Sequence, residues 1–219
     1  MRYKAGVVRE VDGRAGWPAV SAFGALIADL AAAYPKELGH LDPRSILVIA
    51  GAARGEARAS IRPLTFGGRP PRRVLGDYQK PRIEVGGHEI LYELCLRPRY
   101  FLGSTAEERL LIFLHELWHI SPRFDGSLAE ERRHRVAGER EAATIEGLAR
   151  AFSPSGPAAT VLSHQGELRV LAWLSRPPSR LPKNRALRSY HDADLYEGRV
   201  LQSDRVPSFI RRSLGPAGA

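Results

Sequence analysis

The chain has 219 residues, 43% hydrophobic and 26% charged, with a formal charge of +9. That composition excludes intrinsic disorder and allows one sizeable core, with or without an appendage. The lone Cys95 excludes an internal disulfide framework, and no run approaches the ~18 apolar residues of a membrane span.

The start, Met1-Arg2-Tyr3-Lys4, lacks the apolar stretch of a secretory signal, so a cytoplasmic protein with no membrane attachment is expected. The positive charge suits an anionic partner such as nucleic acid or an acidic protein surface. An arginine-rich composition produces the same excess without any partner.

In chain order, Val20, Phe23, Ile27, Leu30 and Tyr34 follow the three-and-four spacing of an amphipathic helix that opens near Trp17-Pro18. Residues 46–49 (Ile-Leu-Val-Ile), bounded by Asp42-Pro43 and Gly51, predict a buried strand, with 59–66 as its partner. Residues 67–73 are rich in glycine, proline and arginine and read as a basic loop. Residues 82–85 and 89–96 flank Gly86-Gly87, a favoured turn pair, and predict an antiparallel hairpin.

Ser104-Thr105-Ala106-Glu107 has the capping-box pattern and opens a helix whose residues 110–114, Leu117, Trp118 and Ile120 place it at the centre of the fold. After Pro122 and Gly126, Ser127-Leu128-Ala129-Glu130 repeats the pattern and predicts a second helix to about Phe152, ended by Ser153-Pro154-Ser155-Gly156-Pro157. Residues 160–163 and 168–174 predict a further hairpin around His164-Gln165-Gly166-Glu167. Residues 176–190, with Arg176, Arg180, Lys183, Arg185 and Arg188 and no acidic residue, read as an extended basic segment. The expected division is a domain over 1–152 and, over 153–219, a C-terminal hairpin with a basic, proline-containing extension.

The residues that point to chemistry are His115-Glu116-Leu117-Trp118-His119. Histidines four apart on a helix project from one face and can share a metal ion, and the carboxylate beside them can accept a proton from water. Zinc suits neutral imidazoles, and a catalytic zinc uses three protein ligands with one position left for water. His134 is the leading third ligand: fourteen residues separate it from His119, and it shares a helical stripe with Gly138, Glu141, Ile145, Leu148 and Phe152. Glu139 and Asp125 compete for the role.

With these residues the chain resembles the SprT-like and phage-type zinc metallopeptidases, minimal gluzincin-like domains, over about residues 83–152. The resemblance implies a zincin-like α+β domain, with a small, mostly antiparallel sheet packed on the central HExxH helix. It implies that His115, His119 and His134 bind Zn2+ and that Glu116 is the catalytic general base acting on a protein or peptide substrate. The alternative is a DNA-associated regulatory or structural protein that keeps a zincin scaffold without peptide turnover. The basic segments 69–82 and 176–188 are the candidate nucleic-acid surface, although Tyr78 and Tyr190 are their main aromatics.

Overall fold

The computed structural model describes residues 22–51, 57–101, 104–132, 139–163 and 167–201. It is a mixed α+β fold whose spine is a five-stranded sheet: β1 (Ile46–Ala50), β2 (Ala59–Pro63), β7 (Tyr92–Leu96), β8 (Glu167–Trp173) and β11 (Leu195–Leu201), in the order β11-β8-β1-β7-β2. β1 lies parallel to both neighbours, whereas β2 and β11 are antiparallel and close the two edges. The sheet is therefore mixed rather than mostly antiparallel. All five residues of β1 are buried, as a central parallel strand covered on both faces requires.

Alternation along the strands separates two cores. Ile46, Val48 and Ala50 of β1 and Tyr92, Leu94 and Leu96 of β7 face the helices. There they meet α1 (Ala22–Ala33), α3 (Ala106–Trp118), α4 (Glu139–Ala151) and α5 (Gly156–Ser163), and the rings of Phe23 and Phe113 stack with centroids 5.8 Å apart. A short helix, α2 (Pro98–Phe101), joins β7 to this layer. Leu47, Ile49 and Cys95 face the opposite way into a second core with Ile83, Val85, Ile90, Trp173 and Tyr190. The small sheet of β5 (Arg82–Val85), β6 (His88–Glu89) and β10 (Ser189–Tyr190) contributes to that core, and β3 (Val74–Leu75), β4 (Tyr78–Gln79) and β9 (Leu181–Pro182) form a third sheet.

Several expectations need correction. Residues 59–63 pair with β7 and not with β1, because β7 occupies the place beside β1. The Gly86-Gly87 turn forms as expected, both glycines at positive φ, but the second arm leaves the hairpin after Glu89 and continues as β7 in the main sheet. The capping box is Thr105 with Glu108, one residue later than read. Residues 127–130 lead into a 3-10 turn over Glu130–Arg132, and the helix is described over Glu139–Ala151; residues 133–138 between them lie outside the described residues. Residues 160–163 belong to α5, where Ala158, Val161 and Leu162 sit on one buried face, so the expected C-terminal hairpin does not form; β8 pairs instead with β1 and β11. The boundary expected at residue 152 runs through one sheet. The start of the first helix, before residue 22, lies outside the described residues.

Buried charge binds the C-terminal segment to this sheet. Glu93 on β7 is fully buried and accepts from Arg62 at 2.6 Å, Trp173 Nε1 at 2.7 Å and Arg176 at 2.6 Å and 3.0 Å. Residues 176–190 are thus anchored by Arg176 and by strands β9 and β10. Lys80 is also buried, donating to the carbonyls of Pro63 and Thr65 at 2.7 Å and 2.8 Å.

Burial, reinforced by the charges of Arg62 and Arg73, lowers the Lys80 ammonium to about 8. A folded-state value below the ordinary 10.5 means that the unfolded chain binds more protons between the two, so stability rises with pH across that window. We predict that denaturant unfolding of the wild type shows this rise between about pH 8 and 10.5, and that Lys80→Met abolishes it.

Candidate metal centre

Helix α3 carries His115 and Glu116 in its last turn, and His119 is its C-cap. Leu110, Phe113, Leu114 and Leu117 hold the helix against the sheet, so Glu116 and His119 are buried while His115 is half-buried at the surface of a cleft. The cleft has a volume of about 730 Å³. Its floor is His115, Glu116 and His119, one wall is β2, and the other is formed by Ala142 and Ile145 of α4.

The two imidazoles converge, with Nε2 of His115 3.2 Å from Nε2 of His119. Two nitrogens bound at 2.0–2.1 Å to a tetrahedral zinc are about 3.3 Å apart, so this pair fits one edge of such a site. The other ring nitrogen of His119, Nδ1, lies 2.5 Å from the carbonyl oxygen of Arg132. A carbonyl can only accept, so Nδ1 carries the proton and Nε2 presents its lone pair to the cleft, the tautomer a metal ligand needs.

Glu116 is placed by the strand above it. The bonds Arg97 N–H to Arg58 O and Leu64 N–H to Leu91 O, at the two ends of β2, set the alternation of the antiparallel ladder. Even-numbered residues bond to β7, and the amides and carbonyls of Ala59 and Ile61 point outward. The outward Ile61 amide faces the Glu116 carboxylate and favours its charged form. Burial pushes that carboxyl up to about 7, against the opposing pull of the Ile61 amide and of the Arg97 charge. Further along the edge Pro63 has no amide hydrogen and its carbonyl is taken by Lys80, so the open part of β2 is confined to Ala59 and Ile61.

The remaining expected residues fare differently. His134 lies outside the described residues, and of Glu139 only the backbone is described, as the first residue of α4. Among the described residues no group of three or more histidine, cysteine, aspartate or glutamate side chains gathers as metal ligands. Asp125 is excluded as a ligand by its own bonds. Its Oδ1 accepts from the amide and hydroxyl of Ser127, at 3.1 Å and 2.5 Å, and its Oδ2 accepts from the Gly68 amide at 3.1 Å and faces Arg123 at 3.3 Å. Burial raises the Asp125 carboxyl, but the Ser127 and Gly68 donors and Arg123 together outweigh it and hold the group below the usual carboxylate range.

An oxyanion formed in the cleft would need a donor, and Tyr92 is committed elsewhere. Its hydroxyl accepts from the Gly126 amide and donates to the Ser127 carbonyl, each at 2.9 Å, and burial pushes its pKa well above the usual tyrosine value. Tyr100 is wholly buried, and His164 lies outside the described residues. Arg58, which bonds Ser104 Oγ at 3.2 Å, is the arginine on the cleft wall. The strand over the site is β2, and the sequence-level signal was Pro63, a residue that sheets tolerate at an edge.

No family model, no curated protein and no solved structure matches this chain.

We predict that Asp125→Ala costs about 2–4 kcal/mol in denaturant unfolding, since it strips four donors of a buried acceptor. Its zinc stoichiometry should match wild type below the unfolding transition; loss of zinc from the folded variant would return Asp125 to the ligand set.

Proposed function

We propose that this chain is a zinc-dependent peptidase of zincin-like architecture, acting in the cytoplasm, in which His115, His119 and His134 hold the metal and Glu116 is the general base. The observation that carries the reading is a pair of convergent imidazole nitrogens 3.2 Å apart, beside a buried carboxylate under an open strand edge. A purely structural zinc site has no use for a carboxylate held in this way.

Bound at these histidines, zinc supplies polarisation of the scissile carbonyl and acidification of the attacking water. The chain's own residues do the rest. Glu116, at the cleft floor facing the Ile61 amide, takes the proton of the attacking water and passes it to the leaving amine, so that water adds across the C–N bond. The substrate lies extended against β2 and bonds to the outward groups of Ala59 and the carbonyl of Ile61, a main-chain grip with little sequence preference. Leu111, Ile112 and Ile145 make the surrounding wall apolar and limit the water that reaches the bond.

After reconstitution, wild-type protein should carry about one zinc per chain by mass spectrometry, and His115→Ala, His119→Ala and His134→Ala should each lose it. Glu116→Gln should keep the metal and cleave an unfolded protein about 10²–10⁴-fold more slowly. Wild-type protein that takes up no zinc would sink the reading.

A further inference from the structure

The corner between α3 and the 3-10 turn that follows it is held by one residue acting from both of its ends. Arg132 closes that turn. Its main-chain carbonyl accepts from Nδ1 of His119 at 2.5 Å. Its guanidinium reaches back over the same corner, donating to the carbonyl of Trp118 at 3.1 Å and lying 4.2 Å from the centre of the Trp118 ring. The Trp118 carbonyl is among the last of α3, with no later amide of the helix to bond it, so a cation there also meets the negative end of the helix.

We propose that Arg132 is a positioning residue for the metal site: its side chain clamps the end of α3 so that its own carbonyl meets His119 and fixes both tautomer and ring orientation. This rests on the peptidase reading, because it assigns His119 a metal to hold. Two other bonds of the corner fix its backbone. Ala129 N–H bonds the His119 carbonyl at 2.9 Å, and Ile120 pairs with Leu128. Neither touches the imidazole, whose rotation about its side-chain torsions is limited by the Nδ1 bond and by His115. The Arg132 carbonyl can stay on Nδ1 only while the 3-10 turn stays folded against Trp118, and it is the guanidinium that joins the two. A planar cation suits the dual task, since it stacks on the indole while one N–H reaches the carbonyl. A lysine ammonium would do either less well.

The test measures metal binding and not turnover. Zinc affinity of the full chain is measured by competition with a chromophoric chelator, and the cobalt(II)-substituted protein gives a ligand-field spectrum at saturation. Arg132→Ala should weaken zinc binding about 10–100-fold and alter the cobalt spectrum. Arg132→Lys should recover little of either, and Arg82→Ala, a surface arginine paired with Glu84, should match wild type. Thermal unfolding of the metal-free proteins separates a lost clamp from a lost fold. If Arg132→Ala does not fold, Trp118→Leu removes the ring side of the clamp and should weaken zinc binding severalfold. Zinc affinity within twofold of wild type and an unchanged cobalt spectrum, in Arg132→Ala or in a Trp118→Leu that stands in for it, would overturn the proposal while leaving the peptidase reading in place. A wild type that binds no zinc would remove both.

Discussion

Helix α3 is apolar on nearly every side, and seating its last turn on the sheet takes the Glu116 carboxylate out of water with it. A buried carboxylate without a donor is too costly to keep. In a sheet every amide inside the ladder is already used, so a polar partner has to come from an edge, and β2 places the outward amide of Ile61 toward the carboxylate. Much of the local architecture fits that placement. β2 must be the last strand, its odd-numbered residues must face away from β7, and α3 must end beneath its middle. The same edge would invite pairing with any passing strand along its whole length. Pro63 and Lys80 close its far end and leave open only the stretch above the histidines.

A second chain of contacts runs from the middle of the sheet to the imidazoles. Tyr92 stands on β7 beside β1, and its hydroxyl holds both Gly126 and Ser127. Thr65, just past β2, donates to the Asp125 carbonyl at 2.9 Å, and a Cβ on Gly126 would fall 2.1 Å from its Oγ1. Gly126 has φ of 78°, and Phe124 beside it takes φ of 47°, uncommon for a residue with a side chain. The turn is thus wedged between two strands, and the chain leaving it runs back past His119 to Arg132. Rigid sheet, wedged turn and imidazole form a continuous path, the support a binding constellation needs to stay in register.

The mixed α+β class and the placing of His115, Glu116 and His119 on a buried helix were legible because each rests on local periodicity. Residues 46–49 could be read as a strand for the same reason, an unbroken β-branched run. What the sequence did not disclose was pairing. The partner of residues 59–63 is set by which strand wins the place beside β1, and that competition is decided by burial on two faces of a sheet, a non-local quantity. The failed hairpin at 160–174 has a different cause: four residues fit a strand and a helix equally well, and Gly156-Pro157 starts a helix whose apolar residues follow three-and-four spacing. Asp125 was a competitor by spacing alone, and spacing does not show that four donors already occupy it.

Part of the excess of arginine, read from composition as a mark of an anionic partner, is engaged within the fold. Arg62 and Arg176 neutralise Glu93, while Arg73 bonds the carbonyls of Leu64 and Pro81 and pairs with Glu89. Arg109 reaches from α3 to the Leu162 carbonyl on α5 at 2.7 Å, and Arg69 bonds the Arg123 carbonyl at 2.7 Å. These arginines join segments far apart in the chain by donating to carbonyls that strands and helices leave unused, at turns where no ladder amide can reach. Lysine can supply charge at such places but not several donors in one plane, so a fold with one cysteine and many irregular connections gains from guanidinium groups whatever its partners. Arg73, Lys80 and Arg176 are thereby withdrawn from the two basic segments once considered for nucleic acid, and Arg180 and Arg188 lie over the rings of Tyr78 and Tyr190, the aromatics that a nucleobase would have needed.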